Sequence, residues 1–261
     1  MTNDESRLLW NDIAAHWDAQ IGEGNDFQKQ LVMPATDRLL VPTAGERVLD
    51  ACCGNGNYAR RLGRLGCEVI AFDGAETFID LARKRATPAD GTIEYRVVDA
   101  CDEGAVSALG DDDSFDAIVS SFAIMDLPTI DPLMRAAARL LKASGRFVFS
   151  TGHPAFNTNE AQMTATQDHG EGESTQVFGV SVSRYARDWP HQSRGILGQP
   201  RPHWLFHRSL STILSSAFAA GFVVDGMEEP TFEPDARARS PFSWARRPDI
   251  PPAVVVRLRP R

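Results

Sequence analysis

Short apolar runs and longer amphipathic stretches alternate through the middle of this chain. From Glu46 the segment RVLD leads into the turn-forming CCGNGN and then into YARRLGRLG, where Tyr58, Leu62 and Leu65 recur at helical spacing. That order predicts a strand, a tight loop and a helix. The unit then repeats. CEVIAFD reads as a second buried strand, and AETFIDLARKRA as a helix that turns Phe78, Ile79 and Ala82 inward, with its basic residues at the C-terminal end where the helix dipole favours them. Two such units in tandem imply a parallel sheet, since a strand that returns parallel to its predecessor needs a crossover.

A third strand is expected at IEYRVVD, followed by a short helix, and a fourth at FDAIVSSF, whose unbroken apolar residues suit a strand covered on both faces. IDPLMRAAARLLKASG then places Ile130, Leu133, Ala137, Leu140 and Leu141 on one stripe with Gly145 as its cap, and GRFVFST follows as strand five. Between His153 and Arg208 the periodicity dissolves into polar residues, glycine and scattered aromatics, which predicts an irregular insertion. Order returns in SLSTILSSAFAAG, a helix carrying Leu210, Ile213, Leu214, Ala217 and Phe218 inward between a serine cap and Gly221. GFVVDGMEE and AVVVRLRP have no helix between them and are expected to pair antiparallel at one edge. Near the start, LLWNDIAAHWDAQ is an amphipathic helix with Leu9, Ile13 and Trp17 on one face. The pattern as a whole predicts a single α/β domain over 1–261, doubly wound on a mostly parallel seven-stranded sheet with an antiparallel edge strand. A helical cap over 1–45 and the insertion over about 154–208 complete it.

Composition narrows the partners. The 261 residues are 43% hydrophobic and carry a formal charge of −8, a field that repels polyanions, so nucleic acid is not expected as a substrate. The two basic stretches, 60–64 and 237–247, are broken by apolar or small residues and read as solvated faces. No apolar run approaches the roughly 18 residues of a membrane span, and MTNDESRLLW lacks a leader pattern, so a cytoplasmic protein without a membrane partner is expected. Cys52, Cys53, Cys67 and Cys101 form no C-x-x-C pair, read as reduced thiols, and suggest no metal site.

Candidate chemistry concentrates where the predicted strands end. In a doubly wound sheet, ligands bind beyond the carboxyl ends of the strands, where the strand order reverses. Gly54 and Gly56 in the loop after the first strand let backbone approach a ligand. Three acids end three successive strands: Asp50, Asp73 and Asp99. A carboxylate there can accept from both hydroxyls of a ribose, another from an adenine amino group, and a third can hold a cation, so the set outlines an adenosine with a cationic tail.

On VLDACCGNG, VIAFDGAETFIDLAR, VVDACD, FDAIVSSFAIMDL and LLKASGRFVFSTGHPAF, the chain resembles small-molecule class I S-adenosylmethionine-dependent methyltransferases of the type 11 or 25 kind, over roughly Val48 to Phe156. The resemblance implies a Rossmann-like methyltransferase fold with S-adenosylmethionine as cofactor. It carries cofactor contacts onto Asp50, Gly54, Gly56, Asp73 and Asp99, and onto the flanking Ala51, Cys52, Gly74, Ala100, Ser121 and Phe122. Cys52 stands where the family usually has its first glycine. The N-terminal helix resembles the one that lies over the cofactor in these enzymes, which brings Trp17 to the ligand. Ser120, Ser121 and Phe122 replace the Asn-Pro-Pro-aromatic motif of methyltransferases acting on bases and glutamine, in line with a small-molecule acceptor.

Methyl transfer from sulfonium needs positioning and dryness more than a nucleophilic side chain. Where the acceptor must lose a proton, His153 in STGHP is the candidate base. His203 and His207, with Trp189 and Trp204, are expected to line or cover an apolar acceptor pocket formed by the insertion. Two other functions stay open. Gly54, Gly56 and Ala59 also satisfy a dinucleotide fingerprint with Asp73 about 20 residues on, although Asp50 and Asp99 would repel a pyrophosphate. A non-catalytic protein that keeps the S-adenosylmethionine pocket is the other.

Overall fold

The computed structural model describes residues 2–169, 174–234, 236–238 and 240–261. Arg239, within the second basic stretch, lies outside them. Helix α1 (Asn3–Ile21), a π-helical turn (Gln28–Val32) and α2 (Met33–Leu40) precede the sheet units. Then come β1 (Arg47–Ala51), α3 (Asn57–Arg64), β2 (Glu68–Asp73), α4 (Glu76–Arg85), β3 (Ile93–Val97), α5 (Glu103–Ser107), β4 (Phe115–Ser121), α6 (Asp131–Leu140) and β5 (Leu141–Gly152). Two hairpins follow, β6 (Ala161–His169) with β7 (Ser174–Val182) and β8 (Trp189–Ser193) with β9 (His203–His207), before α7 (Leu210–Ala219), β10 (Phe222–Glu228) and β11 (Ala253–Pro260).

The main sheet has seven strands in the order β10-β11-β5-β4-β1-β2-β3. β1 pairs parallel with both β2 and β4, so the strand order reverses between β1 and β4. β11 runs antiparallel to both β5 and β10, one place in from the edge. Alternation along each strand feeds two cores. Leu49, Ile118, Phe147 and Phe149 face one side with Leu133 and Ala137 of α6 and Ile213 of α7; Val48, Ala117, Val119 and Val148 face the other with Leu62 of α3 and Ile79 of α4. All of these side chains are buried.

Four local expectations change. Leu65 is 44% exposed because α3 ends at Arg64, and Phe218 is 48% exposed on the outer side of α7. Gly145 is not a helix cap: α6 stops at Leu140, and Gly145 sits in β5 where its backbone passes the Lys142 and Asp116 carbonyls too closely for a side chain. The insertion is not irregular, since it forms both hairpins. Much of β6 and β7 is exposed, so the sequence there needs no apolar alternation to pair. The buried guanidinium of Arg247 pins that hairpin by donating to the carbonyls of Gly179 and Thr164, both at 2.9 Å. Among the described residues no helix is long and apolar enough to cross a membrane.

Candidate active site

A cavity of about 650 Å³ opens at the reversal point, bounded by the loops after β1 and β4, by α1, and by the β8–β9 hairpin. Asp50, Asp73 and Asp99 all line it, as do Trp17, Cys52, Gly54, Gly74, Ala100, Ser121 and Phe122. Ala51 and Gly56 do not. Ala51 points into the hydrophobic core, because neighbouring residues of a strand face opposite ways. Gly56 instead begins α3 with φ +73°, and a Cβ there would strike Tyr95.

The loop after β1 is shaped by backbone that would suit glycine. Cys52 takes φ +59°, the left-handed region a side chain disfavours, at a cost of about 1 kcal/mol or more. Desolvation pushes its thiol well above the usual range, as burial does for Cys53. After β4, Phe122 likewise has φ +57°, held by its N–H donating to the Ser150 carbonyl at 3.1 Å and to Ser150 Oγ at 2.9 Å.

The three acids sit in different environments. Asp73 accepts the Gly54 N–H on one oxygen and the Ala75 N–H on the other, each at 2.9 Å, and burial still raises its carboxyl above the usual range. Asp99 accepts the Cys101 N–H at 2.8 Å, the Asn3 amide, and an ion pair from Arg7 at 3.5 Å, so α1 reaches it directly. Asp50 is 1% exposed, and neither of its oxygens has a formed hydrogen bond. Burial first, and the Asp73 charge second, push it up to about 8, with a partial offset from the Ala59 N–H.

Asn55 fastens the loop after β1 to α1 through Asp18 Oδ1 and the Gly22 carbonyl, both at 2.9 Å. Trp17 packs edge-on to Trp10 at 5.3 Å, and its Nε1–H donates to Gln199 at 3.1 Å. His203 and His207 line the cavity with His191, but Trp189 and Trp204 do not; Trp189 packs outward under Arg184, 4.7 Å from its ring.

His153 is displaced from the expected role. It does not line the cavity, and both ring nitrogens are committed. Nδ1 accepts the Ala155 N–H at 3.1 Å, which leaves the ring proton on Nε2 to donate to Glu229 at 2.8 Å. Burial lowers its pKa, and the ring stacks on Phe156 at 4.5 Å. A nitrogen occupied on both sides cannot take a proton from an acceptor in the cavity. The residues that the sequence left unnamed are Asn3, Arg7 and Trp10 on α1, Phe27, and Asp126 and Arg208 from the far wall. A helical face at Asn3, Arg7 and Trp10 was the one signal available for the first group.

Residues 49–149 match a family described as a methyltransferase domain. A solved S-adenosylmethionine-dependent methyltransferase from Mesorhizobium loti superposes on 87% of this chain and 96% of its own, with a TM-score of 0.65 and 26% identity. Residues 49–149 thus carry a methyltransferase domain, and the chain is similar in fold to class I S-adenosylmethionine-dependent methyltransferases. Among curated relatives, a demethylmenaquinone methyltransferase of Clavibacter sepedonicus is 33% identical over 149 residues, 55% of this chain and 57% of that protein. A ubiquinone biosynthesis O-methyltransferase of Xanthomonas oryzae pv. oryzae is 35% identical over 108 residues, 41% of this chain and 44% of that one. The chain thus spans about half the length of the curated relatives it matches.

Proposed function

We propose that this methyltransferase binds S-adenosylmethionine in the reversal-point cavity and transfers its methyl group to a small, flat, largely apolar acceptor. The observation that carries this reading is the meeting of Asp50, Asp73 and Asp99 in one cavity beside the Cys52–Gly54 loop. A buried carboxyl without a partner is costly unless a cation completes it, and an amino acid ammonium on the cofactor would complete Asp50. Asp73 keeps lone pairs free beyond its two backbone donors, which suits ribose hydroxyls, and Asp99 suits the adenine amino group. The bound donor supplies an electrophilic methyl on positive sulfur. The protein's part is to orient the partners and exclude water, for which α1 and the β8–β9 hairpin form the cover.

The acceptor class rests on the lining and on kinship. Phe27, Phe122, Leu205 and Phe206 give the cavity apolar surface, and two relatives are named for demethylmenaquinone and for ubiquinone biosynthesis. A ring-hydroxylated, quinone-like molecule is the type that fits both. The net charge of −8 likewise favours a small molecule over nucleic acid. A dinucleotide would have to bring its pyrophosphate among three carboxylates, which disfavours a dehydrogenase.

Calorimetry tests the cofactor half. Asp73→Ala, by removing the charged acceptor for both hydroxyls, should weaken S-adenosylmethionine binding by about 1.5 to 3 kcal/mol, roughly 10- to 150-fold. An unchanged dissociation constant would reject it. Labelled methyl donor with a panel of ring-hydroxylated aromatics tests the other half, and tight binding without any methylated product would favour a non-catalytic role.

A further inference from the structure

One wall of the cavity joins two segments far apart in sequence: the 3₁₀ turn Ile124–Asp126 after β4, and β9 with the loop before it. Asp126 Oδ1 is buried there with no hydrogen-bond partner, and His203 Nε2 lies 3.6 Å from it. A buried, unpartnered carboxylate oxygen and an imidazole that sit beyond direct hydrogen-bond distance, on residues that both line the cavity, leave each able to take a third polar atom entering from it.

The protonation of that imidazole is fixed by its surroundings. Gln199 is 3% exposed, and its Oε1 receives Trp17 Nε1–H at 3.1 Å and the Gly195 N–H at 3.0 Å. Both of those groups can only donate, so this end of the side chain must be the carbonyl. Its Nε2 therefore donates, to the Arg201 carbonyl at 2.5 Å and to His203 Nδ1 at 3.0 Å. An imidazole nitrogen that accepts carries no proton, which places the ring N–H on Nε2, facing Asp126. Burial lowers the His203 pKa to about 4, so the ring stays neutral and cannot itself serve as the Asp126 counterion.

The turn is held in place independently. Arg208, at the end of β9, donates to the carbonyls of Leu127 at 2.8 Å and Pro128 at 2.7 Å, and Asp126 N–H donates to Ala123 at 2.8 Å. The cation thus spends itself on backbone and fixes the distance between the two side chains.

The gap offers one donor and one acceptor. A hydroxyl has matching needs, since it can accept from Nε2–H and donate to the carboxylate, whereas an amine brings more hydrogens than the site can receive. Resting on the methyl-transfer reading above, we propose that Asp126 is the proton acceptor for a hydroxyl of the methyl acceptor, and that His203 positions that hydroxyl through its Nε2–H. In the step the acceptor oxygen forms a bond to the methyl carbon, the carbon–sulfur bond breaks with its electron pair going to sulfur, and the hydroxyl proton passes to the Asp126 carboxylate. Burial and the neighbouring Asp73 charge raise the Asp126 carboxyl above the usual range, which makes it a stronger proton acceptor than an exposed aspartate.

The test uses the full chain with sinefungin, an amine-bearing analogue of the cofactor, and 4-nitrocatechol, whose absorption reports ionisation of its hydroxyl. In the wild type, the bound probe should show its anionic spectrum at a pH where the free probe is neutral. Asp126→Asn should keep the sinefungin dissociation constant within about twofold, yet bind the probe about 10-fold or more weakly and leave it neutral. In parallel, long-range ¹H–¹⁵N correlation on ¹⁵N-histidine protein, with His203→Gln for assignment, should find the Nε2–H tautomer, and Gln199→Glu should invert it. An anionic probe in Asp126→Asn, or an Nδ1–H ring in the wild type, overturns the assignment; should Asp126→Asn not fold, the tautomer and the Gln199→Glu result decide. Failure of sinefungin to bind sinks the methyl-transfer reading and this assignment with it. Binding of sinefungin but not of 4-nitrocatechol sinks this assignment alone.

Discussion

Asp50 makes one contribution to the pH dependence of the ligand-free protein whose sign is set by its burial. Its carboxyl titrates at about 8 when folded against an ordinary value of 3.8, so between those limits the folded state holds the proton more tightly than the unfolded one. The neutral form's contribution to stability is complete below pH 4 and is lost as the pH rises through 8. Asp50→Asn should therefore raise the melting temperature of the ligand-free protein relative to the wild type at pH 8 and leave the difference small at pH 4, while weakening cofactor binding. Differential scanning fluorimetry at the two values checks the sign; a larger gain at the lower pH would contradict it. Residues of this kind were legible in the sequence because an acid at the end of an apolar run must lie at the rim of the sheet. The orientation of Ala51 was legible by the same rule of alternation, had it been applied one residue further.

At the scale of elements, His153 shows what a linear reading leaves out. Its partner, Glu229, lies 76 positions away, just past β10, and only the folding of β10 and β11 back against β5 brings the two together. The pair ties the end of β5 to the segment after β10. His153→Ala should cost about 1 to 2 kcal/mol, the lower part of the range for a hydrogen bond to a charged group because Glu229 is half-exposed, and should leave turnover and cofactor affinity unchanged. Chemical denaturation and calorimetry measure the two sides, and a lost turnover with intact stability would restore the base role to His153. The βα units were readable because their strands are buried on both faces and their helices on one, so the apolar period reports each directly. The hairpin β6–β7 was not, since exposed strands place weak demands on residue type and pair through backbone alone, and β8–β9 was not, since the buried residues of β9 are largely histidines set against the cavity rather than an apolar run. The pairing of Asp126 with His203 escaped for a related reason: it depends on Arg208 joining a turn to a strand some 80 residues away.

Across the whole molecule, the cavity is roofed by two pieces that meet above it. His16 approaches the Leu197 carbonyl at 3.2 Å, Trp17 bonds Gln199, and Arg201 pairs with Asp12, so α1 and the β8–β9 connection close over the sheet together. Leu197, at the tip, is 96% exposed. Trp10 and Trp17 also pack on the His203 ring, and a bound cofactor that touches this roof should order it further. S-adenosylmethionine at 100 times its dissociation constant should stabilise the fold by about 2.7 kcal/mol, and amide exchange should slow in α1 and in 193–203 more than in β4 or β5. Uniform slowing, or none in α1, would show that the roof takes no part in binding.

The place of β11 has a consequence for assembly. Because β11 lies between β5 and β10, the strand at 222–228 can join the sheet only with or after the one at 253–260, although the latter is later in the chain. A nascent chain paused between the two would carry an exposed β5 border and a homeless β10. However early the βα units form, the sheet is complete only once the 253–260 strand bridges β5 and β10.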